Sequence, residues 1–111
     1  MQSNLKKRIG VDVGRRAKLE DALAWAAVNE VFYIDIQLDS GANAIEHFDE
    51  ARCETVKGMC QDHDIHLGLH TLSGVNMAEY SNFFRQAADE YLRAYIDMAT
   101  RLDAEWIVVH A

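Results

Sequence analysis

The chain has 111 residues, 50% of them hydrophobic and 26% charged, a balance that suits one globular domain with a modest core rather than a disordered segment. A formal net charge of -7 leaves no broad cationic face, which argues against general binding to nucleic acid or anionic membrane. No apolar stretch approaches the roughly eighteen residues of a membrane span, and the opening MQSNLKKRIG lacks a signal-like apolar core, so a cytoplasmic location is expected.

Residues 8–13 (RIGVDV) form a short apolar run ended by Gly14, and a helical pattern then puts Leu19, Leu23, Ala26 and Ala27 on one face. Residues 31–38 (VFYIDIQL) are β-branched and aromatic, the composition of a strand, and the turn residues of 39–43 (DSGAN) follow. A second helix is expected over 48–63, with Phe48, Ala51, Val56, Met59 and Cys60 near one stripe. Residues 65–70 (IHLGLH) read as the third strand. A long loop, 71–80, then leads to Ser81 or Asn82, either of which can cap a helix. In that third helix Ala88, Tyr91, Leu92, Tyr95, Met98, Ala99 and Leu102 recur at steps of three and four, giving one wide apolar face, and 106–110 (WIVVH) closes the chain as a fourth strand.

Strands alternating with helices imply right-handed parallel crossovers and a single α/β domain over 1–111, in the order β-α-β-α-β-α-β. The two faces of the strands differ. Ile9, Val11 and Val13, then Ile34, Ile36 and Leu38, then Ile65, Leu67 and Leu69 share a side with no polar member, which should pack under the helices. The opposite parity carries Gly10 and Asp12, Asp35 and Gln37, His66, Gly68 and His70, and Trp106, Val108 and His110. A doubly wound sheet buries both faces in apolar residues, whereas a barrel interior near its C-terminal mouth holds polar ones. The pattern therefore predicts a parallel (β/α)4 half of a TIM barrel. No Gly-rich dinucleotide fingerprint follows the first strand, which weakens the Rossmann alternative.

Two histidines, His70 and His110, end adjacent strands on the same parity, where neutral imidazoles can ligate a divalent metal or act as general bases. A metal needs further ligands, and Asp12, Asp35, Gln37 and Asp39 are the nearby candidates, although an amide such as Gln37 is a poor zinc ligand. Each histidine can instead simply hydrogen-bond within a half-buried mouth. His66 is expected deeper, as a satisfied core histidine, and His47 and His63 at the surface. Asn76 and Ser73 in the long loop can meet a sugar, or the loop only closes over the rim. Trp25, Trp106 and the tyrosines read as packing, and Lys6, Lys7, Arg8, Arg15 and Arg16 as solvated strand flanks. Cys53 and Cys60, seven positions apart on a helix, lie roughly 10 Å apart, too far for a disulfide.

The segments IGVDVG (9–14), YIDIQL (33–38), GLHTLSGVNMAEY (68–80) and EWIVVHA (105–111) resemble the N-terminal half of the xylose isomerase-like TIM barrel superfamily. That superfamily holds sugar and sugar-phosphate isomerases and epimerases, inosose dehydratases, hydroxypyruvate isomerases and the endonuclease IV class. The resemblance implies His70 and His110 as catalytic residues, and as zinc ligands if the chain is endonuclease IV-like. In epimerase-like members the metal is held mainly from later strands while the early strands contact the substrate, and Asp12, Gln37 and the loop residue Asn76 are the substrate contacts expected here. Gln37 departs from the glutamate that many members carry at this strand end.

Four strands leave two open edges and an exposed inner face, so the resemblance further implies either a fragment of a longer protein or association of two copies, the stop inside a strand favouring the fragment. Three functional expectations follow. The first is the N-terminal portion of a divalent-metal-dependent (Zn, Mn, Mg or Co) sugar or sugar-phosphate isomerase or epimerase, inactive as 111 residues alone. The second is an endonuclease IV-like zinc phosphodiesterase, which the acidic charge disfavours. The third is a catalytically silent half-barrel that oligomerises or docks on a partner.

Overall fold

A computed structural model describes residues 2–111, so the expected domain is described except at its first residue. Its elements are α1 (Gln2–Lys6), β1 (Gly10–Gly14), α2 (Leu19–Asn29), β2 (Tyr33–Ile36), α3 (Glu50–His63), β3 (His66–His70), α4 (Asn82–Leu102) and β4 (Trp106–Val108). Two 3₁₀ turns, Gly41–Asn43 and Ile45–His47, join β2 to α3. The four strands form one sheet in the order β1-β2-β3-β4, every pair parallel. The expected alternation is therefore present.

Parity along the strands decides the layers. Ile34, Ile36, Leu38, Leu67 and Leu69 are buried on the side that meets Leu19, Leu23 and Ala26 of α2, Val56 of α3, and Tyr95, Met98 and Leu102 of α4. Removing this much apolar area from water is the main stabilising term of the fold. Ile9 departs from the expectation: it precedes β1 and is 54% exposed, while Val11 and Val13 pack against the core.

Each long helix stops in the same way. Glu30, Asp64 and Asp103 adopt left-handed backbone, with φ of 56°, 53° and 53°. The next residue then donates its N–H back into the last turn, Val31 to Ala26, Ile65 to Cys60 and Ala104 to Ala99. This stop delivers the chain directly into the following strand.

The start of α2 is held from a distance. Its N-cap residue, Lys18, makes no side-chain cap, and buried Asn43 accepts the Leu19 N–H instead (2.8 Å) while donating to the Ala17 carbonyl (2.8 Å). Arg52 fixes that 3₁₀ turn: it pairs with both oxygens of Glu20 (2.9 and 2.8 Å) and donates to the Ala42 carbonyl (2.6 Å). The expected turn at 39–43 is thus an ordered capping device. Phe48, expected inside the second helix, precedes it, because Asp49 caps α3 by accepting from the Arg52 N–H.

The strand β4 is shorter than expected. Its ladder ends at Val108, which pairs with His70, the last residue of β3. Beyond it the long loop takes over, as Met77 N–H donates to the His110 carbonyl (3.1 Å).

Candidate functional site at the C-terminal end of the sheet

The face opposite the helices is built in rows. Asp12, Asp35, Gly68 and Trp106 stand side by side across the four strands, and His70 follows two residues beyond Gly68. Gly68 has to be a glycine, because a Cβ built there lies 1.9 Å from the Trp106 ring atom Cε2. The bare backbone lets the indole lie across β3, forming a floor one row below His70. Tyr33 and His66 stack one row further down, with centroids 4.9 Å apart.

On this floor the C-terminal strand ends carry the polar groups. The register shift of β1 before Gly14, whose φ is 64°, turns the Gly14 N–H back onto Asp12 Oδ1 (2.9 Å) and so orients that carboxylate. Asp35 Oδ2 lies 3.5 Å from His70 Nδ1, close enough for attraction to a protonated ring but short of a hydrogen bond. The rings of His70 and His110 stand 5.4 Å apart, tilted by 38°. Asp35 Oδ1, Gln37 Oε1, His70 Nδ1 and His110 Nε2 are each shut off from solvent without a hydrogen-bond partner. Burial pushes the Asp35 carboxyl above the usual carboxylate range, Asp12 adds to the rise, and His70 opposes it.

One group of metal-ligating side chains converges among the described residues. Asp12, Asp35 and His70 each offer one donor atom, all within 4.8 Å of one another. The donor types and the orphaned atoms fit a divalent ion, and this trio is the set the geometry offers. His110 stands beside it and is not a member.

The other expected residues are distributed as follows. Gln37 lines a cleft with Asp12, Gly14, Arg15 and Arg16 at the end of β1. Asn76 accepts the Ala78 N–H (2.9 Å) and lines a different cleft, against Phe84 and Tyr91 of α4. Asp39 is withdrawn from metal duty, since its two oxygens accept from the Tyr91 and Tyr95 hydroxyls, each at 2.7 Å. Those hydroxyls in turn accept the Leu72 and Leu38 N–H groups (3.0 and 2.9 Å), which ties α4 to the ends of β3 and β2. His66 is satisfied, by Glu105, but half-exposed rather than in the core, because it opens the N-terminal end of β3. His47 and His63 are exposed. Cys53 and Cys60 are free, and burial pushes the Cys60 thiol up to about 11.

No family model and no curated protein matches the sequence. Among solved structures the chain is similar to a D-psicose 3-epimerase determined in the presence of D-fructose, with a TM-score of 0.71 and 17% identity over 88% of this chain. It is similar also to D-psicose 3-epimerase from Clostridium cellulolyticum H10 with D-tagatose, with a TM-score of 0.71 and 13% identity over 88%. The fold is half of a TIM barrel. The half-barrel spans 35% of the length of either of these structures. At such identities the likeness speaks for the fold, and the chemistry has to be argued from the site. In such barrels the strand C-termini carry the active site, and that is the end where the half-barrel gathers Asp12, Asp35, His70 and His110. Among the described residues no helix is long and apolar enough to cross a membrane.

Proposed function

We propose that this half-barrel is the N-terminal portion of a divalent-metal-dependent sugar or sugar-phosphate isomerase or epimerase that moves a proton next to a carbonyl. The observation that carries the reading is the paired imidazoles of His70 and His110, 5.4 Å apart at the strand C-termini of a barrel whose structural neighbours are epimerases. His70 and His110 contact the reacting part of the sugar, and their neutral rings accept or donate hydrogen bonds to its hydroxyl and carbonyl oxygens. Asp12 and Gln37 bind further hydroxyls, while Asn76, facing the separate cleft against α4, lies outside this contact set. A divalent metal, Zn, Mn, Mg or Co, would supply polarisation of the carbonyl when bound. The carboxylates that move the proton belong to strands that complete the barrel, supplied by further chain or by a second copy.

A histidine-labelled sample titrated with ketohexoses and ketose phosphates, followed by NMR of the imidazoles, tests this reading. His70 and His110 should shift together along one binding curve, while His47 and His63 stay still. Absence of any shift at tens of millimolar sugar, with shifts on adding an abasic-site oligonucleotide, would favour the phosphodiesterase reading instead.

A further inference from the structure

We propose that Asp12, Asp35 and His70 form a binding site for one divalent transition-metal ion inside this half-barrel, separate from any metal held by strands outside it. The placement begins with register. Asp12 and Asp35 are direct partners across β1 and β2, so two carboxylates meet on one face, an arrangement that is unfavourable unless a proton or a cation lies between them. None of the ion pairs among the described residues engages Asp12, and Asp35 has only the imidazole of His70.

The second observation is independent of charge. Asp35 Oδ1 and His70 Nδ1 are sealed from solvent with no hydrogen-bond partner, a costly state for a carboxylate oxygen and a ring nitrogen. Both belong to residues of the converging trio. An ion there satisfies them at once, with the lone pair of Nδ1 as donor. Around one ion, donors at about 2.1 Å stand about 3–4 Å apart, so modest side-chain rotation closes a set now spread over up to 4.8 Å.

The chemistry of the donors selects the ion. Two carboxylates balance the charge of a divalent cation, and an imidazole favours Zn²⁺ or Co²⁺ over Mg²⁺. Three protein ligands leave coordination positions open for water or for sugar hydroxyls. The Asp12–Gly14 hydrogen bond supplies the outer support that metal-ligating carboxylates commonly have.

The inference stands apart from the sugar reading, because ion binding is measured on the 111-residue chain without substrate. Chelator-stripped protein is titrated with Co²⁺, followed by visible absorption, and with Zn²⁺, Mn²⁺ and Mg²⁺ by calorimetry. One Co²⁺ or Zn²⁺ per chain is expected, with Mg²⁺ much weaker. The isosteric Asp35→Asn and Asp12→Asn variants and His70→Ala should each lose about 100-fold or more in affinity, and His63→Ala none. Circular dichroism confirms that each variant is folded. The proposal is overturned by binding weaker than millimolar in the wild type, by full affinity in Asp35→Asn, or by loss in His110→Ala with retention in Asp35→Asn. The last result would move the ion to the two histidines.

Discussion

Asp12 and Asp35 face one another across β1 and β2, carboxylate opposite carboxylate, on the side of the sheet away from the helices. Each sits in the same local setting, a single acid between β-branched residues, VDV in β1 and IDI in β2. The two strands therefore bring their acids into one row as soon as they pair in parallel register.

That relationship sets a pH dependence. Burial and the Asp12 charge raise the Asp35 carboxyl above its unfolded value, so the folded protein holds this proton more tightly than the unfolded chain. Stability from this group is present in full below the unfolded carboxylate pKa and is lost as pH rises through the folded one. Metal-free Asp35→Asn should accordingly be more stable than wild type at pH 7, by roughly 0.2–1 kcal/mol from relief of like charge, and the difference should vanish in acid. Urea denaturation in chelator at pH 7 and near pH 3 measures it. An equal or less stable variant at pH 7 would contradict the paired-acid geometry.

The Gly68 notch makes a second prediction. Gly68→Ala drives a methyl into the space of the Trp106 ring, so the indole has to leave the floor, at about 1–3 kcal/mol. In a Trp25→Phe background Trp106 is the single tryptophan, and its emission reports the displacement. Unchanged emission and stability would show that the ring does not lie across β3.

The sequence exposed the architecture because each strand alternates strictly between an apolar and a mixed side, and α4 repeats its apolar positions from Ala88 to Leu102. It placed Asp12, Asp35, His70 and His110 on one face by the same parity. Other parts depended on contacts between residues far apart in the chain. Nothing local announces that Asn43 caps α2 across 24 residues, or that Asp39 serves two tyrosines more than fifty positions away. Helix α1, only five residues long, offers too short a stretch for a periodic signal.

The Asp39 clamp is itself testable. Tyr95→Phe removes the hydroxyl that accepts the buried Leu38 N–H and donates to Asp39, leaving both without that partner. A loss of about 1–3 kcal/mol in chemical denaturation is expected. A neutral effect would mean that the network does not hold α4 to the sheet.

Open edges carry a further consequence. Strands β1 and β4 each pair on one side only, and Ile9, Tyr33 and Val109 are exposed. The isolated 111-residue chain is predicted to self-associate, with dimer or larger species dominating sedimentation at about 100 µM. A sharp monomer boundary with a cooperative melt would contradict the need for a covering half.

The most direct test of the whole account is the proximity of the two imidazoles. With ring centroids 5.4 Å apart, nuclear Overhauser contacts are predicted between the carbon-bound ring protons of His70 and His110 in the labelled chain. Contacts of the His70 ring with Val56 or Met98 under the helices, and none with His110, would place the two rings on different faces of the sheet and contradict the shared mouth on which the function rests.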